Sequence, residues 1–279
     1  MEHAMHPATS TAAPLPLAPP IVDPAAIPPL RVIPSPTITV GLPDGGQAQI
    51  PGTLWPAPDL WAASERRARA GAPPAIEIRQ LTRRESNVLA AAWHPLGEET
   101  RPFGYHAFAL FVEGEPLALA TAGSAHSASV DKELGLFRAN TIELTRLCRA
   151  SEQTHPQAKG TLRVMLRLWR DFLAVPYWPY YKDTEKIALI SYSLPGKAGH
   201  TYIHDGWRRA RGCRSWGGGA TWSRAPRAGA APQALFVYWL AGTRPPHVDQ
   251  VLARRDRQSQ LRGTGPVGPD PVDGARRAA

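Results

Sequence analysis

The chain has 279 residues, 30 prolines and a formal charge of +9, supplied mainly by arginine. Its two cysteines, Cys148 and Cys213, lack metal-ligand spacing, which excludes a disulfide scaffold and a cysteine–zinc site. No apolar run approaches the roughly 18 residues that would cross a bilayer, and the start lacks a basic stretch followed by a long apolar one, so a cytoplasmic protein with no membrane partner is expected.

Taken in order, residues 1–75 hold proline runs at 14–20 and 33–36 and the turn-forming Pro43-Asp44-Gly45-Gly46. Proline removes amide donors and blocks helix interiors and central strands, so this stretch reads as a largely flexible leader. Ile38-Thr39-Val40 is β-branched enough to lie along a domain as a single edge strand. Residues 60–71 predict a short helix closed by Gly71. A folded domain follows over 76–240. It opens with a strand at Ile76-Glu77-Ile78-Arg79, then a helix begun by Thr82 and Glu85 at capping-box spacing and ended near Trp93-His94-Pro95.

Two strands, 106–112 and 116–122, flank Glu113-Gly114-Glu115 as a hairpin. Residues 141–148 alternate as another strand, and Leu162, Met165, Leu166, Trp169 and Leu173 make the apolar stripe of a helix. The nearly continuous apolar run 187–192 fits a strand covered on both faces. A short helical region with His200 and Tyr202, a turn at Asp205-Gly206, and strands at 208–213 and 235–239 complete the domain. Residues 241–279 read as a flexible basic tail.

A strand ending at Arg146-Leu147-Cys148-Arg149, followed by a loop and a helix starting near Gly160-Thr161, aims backbone amides and a positive helix end at the strand edge. That arrangement suits a pyrophosphate. Arg146 and Arg149 are candidate contacts for phosphate or a DNA backbone, or else ion-pair partners of Glu143 and Glu152. Cys148 is either a nucleophile or a small buried hydrophobe. His200 and His204, four apart, admit a metal site, a general base at His200, or plain capping and packing. Gly217-Gly218-Gly219, with Trp222 and Arg224 behind it, can bring a stacking ring and a cation to nucleic acid or form a loose hairpin.

The ordered stretches IELTRLC, LISYSLPGKAGHTYIHDGW and GGGATWSR resemble the GCN5-related acetyltransferase superfamily, in a branch related to the phage Mom DNA-modification proteins. The resemblance covers roughly residues 76–240. It implies an α/β fold, with a mixed central sheet and flanking helices in an acetyltransferase-like layout. It also implies acetyl-coenzyme A or another acyl-coenzyme A as cofactor. Of the family's cofactor loop, Gln157 and Gly160 match, while Leu162 replaces a small residue; Lys159 and Arg163 can compensate by charge.

The cofactor site implied is Leu147, Cys148, Arg149, Gln157, Lys159, Gly160 and Thr161. Tyr192 or Tyr202 becomes the proton donor to a departing thiolate and His200 the base. His94, Tyr105 and His106 fall on the acceptor side, with Arg146, Trp222 and Arg224 as further substrate contacts. The expected activity is acyl transfer to an amine, foremost adenine in phage or plasmid DNA. The alternatives are a non-enzymatic DNA-binding accessory protein and a small-molecule N-acyltransferase. DNA and a small-molecule acyl donor are therefore the expected partners.

Overall fold

A computed structural model describes residues 37–55, 58–99, 105–179, 184–194, 197–214 and 233–261. Their strands are β1 (Thr37–Gly41), β2 (Gln47–Pro51), β3 (Ile76–Leu81), β4 (His106–Val112), β5 (Glu115–Gly123), β6 (Ser129–Asp131), β7 (Leu136–Phe137), β8 (Thr141–Arg149), β9 (Ala188–Tyr192), β10 (Arg208–Arg214) and β11 (Gln233–Trp239). The helices are α1 (Pro58–Arg69), α2 (Arg83–Trp93), α3 (Thr161–Leu168), α4 (His200–His204) and α5 (Val248–Leu261). Nine strands form one mixed sheet in the order β10-β11-β9-β8-β5-β4-β3-β1-β2, and β6 and β7 pair separately. This is the mixed α/β sheet with flanking helices expected from the sequence.

The centre is an antiparallel meander, β3-β4-β5-β8. Glu113 and Gly114 both take positive φ, the backbone that two-residue hairpin loops require, and so close β4 onto β5. Every residue of β4 is buried because helices cover both faces. Phe108 and Leu110 face the main core with α3, whereas Ala109 and Phe111 face α2 with Leu119 and Cys148. Small residues bring α2 close: Ser86 and Ala90 are its buried positions. Its start is the predicted capping box, with the Glu85 amide donating to Thr82 Oγ1 at 3.3 Å and the Thr82 amide to Glu85 Oε2 at 2.8 Å. The stripe read at 162–175 is α3 and a π-helical turn over Trp169–Leu173, with Met165, Leu166, Trp169 and Leu173 fully buried.

Both flanks differ from the sequence expectation. Residues 37–51, assigned to the leader, form an antiparallel hairpin whose first strand joins β3 in parallel. Its alternation buries Ile38, Val40, Ala48 and Ile50, and Trp55 beyond it is fully buried. Pro36 precedes β1, Pro43 sits in the turn and Pro51 ends β2, so proline density conceals a period-2 pattern. Residues 248–261, assigned to the tail, form α5, which buries Val248 and Leu252 in a second core with β9 and β11. Arg255 clasps Asp131 at 2.8 and 3.0 Å and donates to the Ala210 carbonyl at 2.9 Å. Among the described residues, no helix is long and apolar enough to cross a membrane.

Candidate active site

The sheet opens where the parallel pair β8 and β9 parts. β8 matches β9 from Thr141 opposite Ala188 to Leu144 opposite Ser191 and no further. Beyond that point β8 follows β5, with a register irregularity beside Thr121, while β9 follows β11. A cleft of about 410 Å³ fills the gap. His94 and Leu96 reach it from the end of α2, and Leu162 reaches it from the start of α3. Because these helices lie on opposite faces, the cleft runs through the sheet.

One wall is α4 with the end of β9. Ser191 is buried, and its Oγ lies 3.0 Å from the Leu144 carbonyl and 2.8 Å from Tyr202 Oη. A serine hydroxyl has one proton, so both contacts are satisfied when Ser191 donates to the carbonyl and accepts from Tyr202. Burial raises the Tyr202 pKa above the ordinary phenol value, keeping the proton in place. Its ring stacks on Phe236 at 5.1 Å. Gly199 begins α4 at φ 75°, and a Cβ there would stand 2.3 Å from the Phe236 ring. Only glycine fits this close approach. His200 and His204 are exposed on α4 with ring centroids 6.1 Å apart, and His200 lines the cleft. No metal-binding cluster of histidine, cysteine or carboxylates is found among the described residues.

The facing wall holds His94, Leu96 and Arg146. Arg146 donates from Nε to Gly97 O at 3.1 Å, from Nη2 to Glu98 O at 3.0 Å and from Nη1 to Thr145 O at 2.9 Å, with the Glu99 carboxylate 3.6 Å away. Its donors therefore knit the loop after α2 onto β8, in place of the phosphate or DNA contact expected. The Leu96 amide donates to His94 Nδ1 at 3.1 Å. Burial, reinforced by the Arg146 charge, lowers the His94 pKa to about 4. Alternation of β8 turns Ile142 and Leu144 into the α3-side core and Glu143 the other way, where its carboxylate is buried and borders the cleft.

On the α3 side, Leu147 and Leu162 line the cleft. Gly160 precedes α3 at φ 83°, Thr161 Oγ1 donates to Ala158 O at 2.7 Å, and Lys159 is exposed. Gln157 offers its carbonyl to Trp55 Nε1 at 3.2 Å, so the hairpin extension holds this loop. Arg163 and Arg167 both reach the buried Asp205, at 3.2 and 2.7 Å, and so do not compensate for Leu162. Asp205 thus anchors α3, and Gly206 supplies the positive φ of the expected turn.

Several expected site residues lie elsewhere. Cys148 faces α2, and burial pushes its thiol up to about 12, which removes the thiolate a nucleophile needs. Arg149 pairs with Glu152 at 2.5 Å. His106 is buried against Phe108, Trp169 and Trp178, accepts from Trp169 Nε1 at 3.3 Å, and is lowered to about 4 by burial. Tyr105 sits by Ser86 under the Arg83 guanidinium, outside the cleft. Tyr192 borders the cleft and also packs on the second core. Trp222 and Arg224, with the glycines before them, lie outside the described residues. The sequence reading missed Glu143 as a site group, having treated it only as an ion-pair partner; a lone acid in an apolar strand was the available signal. It also missed Lys197 and Gln233, loop and strand-end residues with no local pattern to mark them.

No family model matches the chain, and no curated protein matches it. Solved structures are similar to it in part. One is the ribosomal-protein-S18-alanine N-acetyltransferase from Escherichia coli, 12% identical over 60% of this chain and 96% of that one, with a TM-score of 0.39. A second is the aminoglycoside acetyltransferase AAC(6')-Ib in complex with coenzyme A, 16% identical over 59% and 94%, with a TM-score of 0.38. A third is a GNAT family acetyltransferase from Elizabethkingia anophelis with acetyl-CoA bound, 13% identical over 60% and 99%, with a TM-score of 0.34.

Proposed function

We propose that the chain is an acyl-coenzyme A-dependent N-acyltransferase acting on a small amine. The observation that carries this reading is the through-sheet cleft at the parting of β8 and β9, beside the start of α3. Such a passage lets a thioester enter from one face and an amine from the other, which brings the reacting atoms together in line. Two features support the donor's place: β8 leaves 145–147 without a partner strand on the cleft side, and Gly160 and exposed Lys159 stand at the α3 start, where a helix end favours a pyrophosphate. Bound there, acyl-coenzyme A supplies the activated carbonyl.

In the balanced reaction the amine nitrogen bonds to the acyl carbon, the carbon–sulfur bond breaks, and one proton passes from nitrogen to sulfur. Glu143, on the acceptor side, is the proposed base, with His200 at the rim as the other candidate. Tyr202, held protonated, is the proposed proton source for sulfur, its O–H turning from Ser191 Oγ to the departing thiolate.

A DNA acceptor is less well supported by the surface. Among the described residues, the β8 and α3 arginines near the cleft are engaged by Glu99, Glu152, Asp205 and carbonyls, which weakens the case for contacts from them to a duplex backbone.

The test is calorimetric titration with acetyl-coenzyme A, with Gly160→Trp as the site control, followed by transfer to a panel of small amines and to DNA. Saturable binding lost in the variant and turnover of a small amine are expected. A folded wild-type chain that binds no acyl-coenzyme A would overturn the reading, and turnover of DNA alone would replace the acceptor.

A further inference from the structure

The 94–99 loop is fixed from two sides. From α2, Asn87 Nδ2 donates to Glu99 O at 3.3 Å and Asn87 Oδ1 accepts from the Glu99 amide at 3.1 Å. From β8, Arg146 holds the Gly97 and Glu98 carbonyls. Within the loop the Gly97 amide donates to His94 O at 2.8 Å. The imidazole is therefore held at both its backbone and its ring.

With Nδ1 accepting from Leu96, the neutral ring carries its proton on Nε2. That nitrogen bonds to no other described residue, and His94 borders the cleft. The charged neighbours are Arg146 and Glu99, with Glu143 on the same side of β8. A ring in this state donates a hydrogen bond and is too weak a base, at about 4, to take a proton at neutral pH.

Resting on the transfer reading above, we propose that His94 recognises the acceptor as a hydrogen-bond donor through Nε2–H, and that Arg146 is the positioning residue that fixes it. The acceptor then carries a carbonyl or carboxylate oxygen near its amine. A second ammonium has only donors to offer and leaves Nε2–H unmet, so polyamines are disfavoured. Leu96, half exposed beside the ring, adds an apolar surface for a short carbon chain.

Two measurements on the full chain test this. In a two-bond proton–nitrogen imidazole spectrum between pH 5.5 and 8, His94 should remain one neutral Nε2–H tautomer, and Arg146→Met should release it to a mixture. Titration near pH 6.5, or an Nδ1–H ring, overturns the proposal whether or not the protein is an acyltransferase.

In transfer assays with a short amino acid, its amide and a diamine of equal length, His94→Ala should raise KM for the first two about tenfold. The KM for acetyl-coenzyme A and kcat should stay within about threefold, since the ring is assigned to acceptor recognition. His94→Asn, which keeps an N–H donor, should recover most of the loss. Equal KM values in wild type and His94→Ala, or preference for the diamine, overturn the proposal alone. Failure of wild type to bind acetyl-coenzyme A overturns the transfer reading beneath it.

Discussion

At the scale of single residues, burial sets the chemistry of the histidines. His94 and His106 are both lowered to about 4 by burial, against about 6.5 for an unfolded chain. A depressed histidine means that the unfolded state binds more protons on acidification, so stability is full above about pH 6.5 and falls toward pH 4. Each ring should contribute a slope of roughly 1.4 kcal/mol per pH unit in that window. Urea unfolding at a series of pH values checks this. His106→Gln should remove about half the slope, and an unchanged slope would show that other groups control acid unfolding. The sequence offered His94 and His106 on equal terms, because the alternation of β4 does not say that both of its faces are covered. It is the packing of α3 that consigns His106 to an aromatic core.

At the scale of elements, helix starts carry the site. α2 was legible from its capping box, since Thr82 and Glu85 act through bonds local to four residues. α4 was less so, because Gly199 matters through Phe236, a contact 37 positions away. Gly199→Ala combines a positive φ with a 2.3 Å overlap against an aromatic ring. It should cost about 2–3 kcal/mol in denaturant unfolding. Because α4 carries Tyr202, turnover should fall further than unfolding at assay temperature explains. A stable variant with full turnover would dissociate α4 from the proton source. The parting of β8 and β9 had no local signature either: IELTRLC alternates as a strand throughout, and only the competing pairing of β5 and β11 shows where one neighbour is lost.

At the scale of the whole molecule, the flanks read as leader and tail complete the fold. Trp55 supports the loop before α3, and α5 closes the second core through Arg255, Asp131 and Glu133. Asp131 is 6% exposed, so removing Arg255 leaves a buried carboxylate without its main partner. Arg255→Met should destabilise by about 3 kcal/mol, and restoring stability with Asp131→Asn in the same chain would identify the Asp131 charge as the cause. A single variant as stable as wild type would show that the apolar contacts of Val248 and Leu252 alone dock α5. Composition hid these elements because proline and charge counts average over windows longer than the strands and helix they surround.

The parting of β8 and β9 also makes the sheet mechanically uneven. It is two plates, β2 to β8 on one side and β9, β11 and β10 on the other, sewn together along the short seam of 141–144 against 188–191. Bending along that seam alters the width of the gap while leaving the ladders within each plate intact. A molecule wedged into the gap bridges the plates beyond the last stitch, so occupancy should stiffen that line, which amide hydrogen exchange in 141–147 and 188–192 would register.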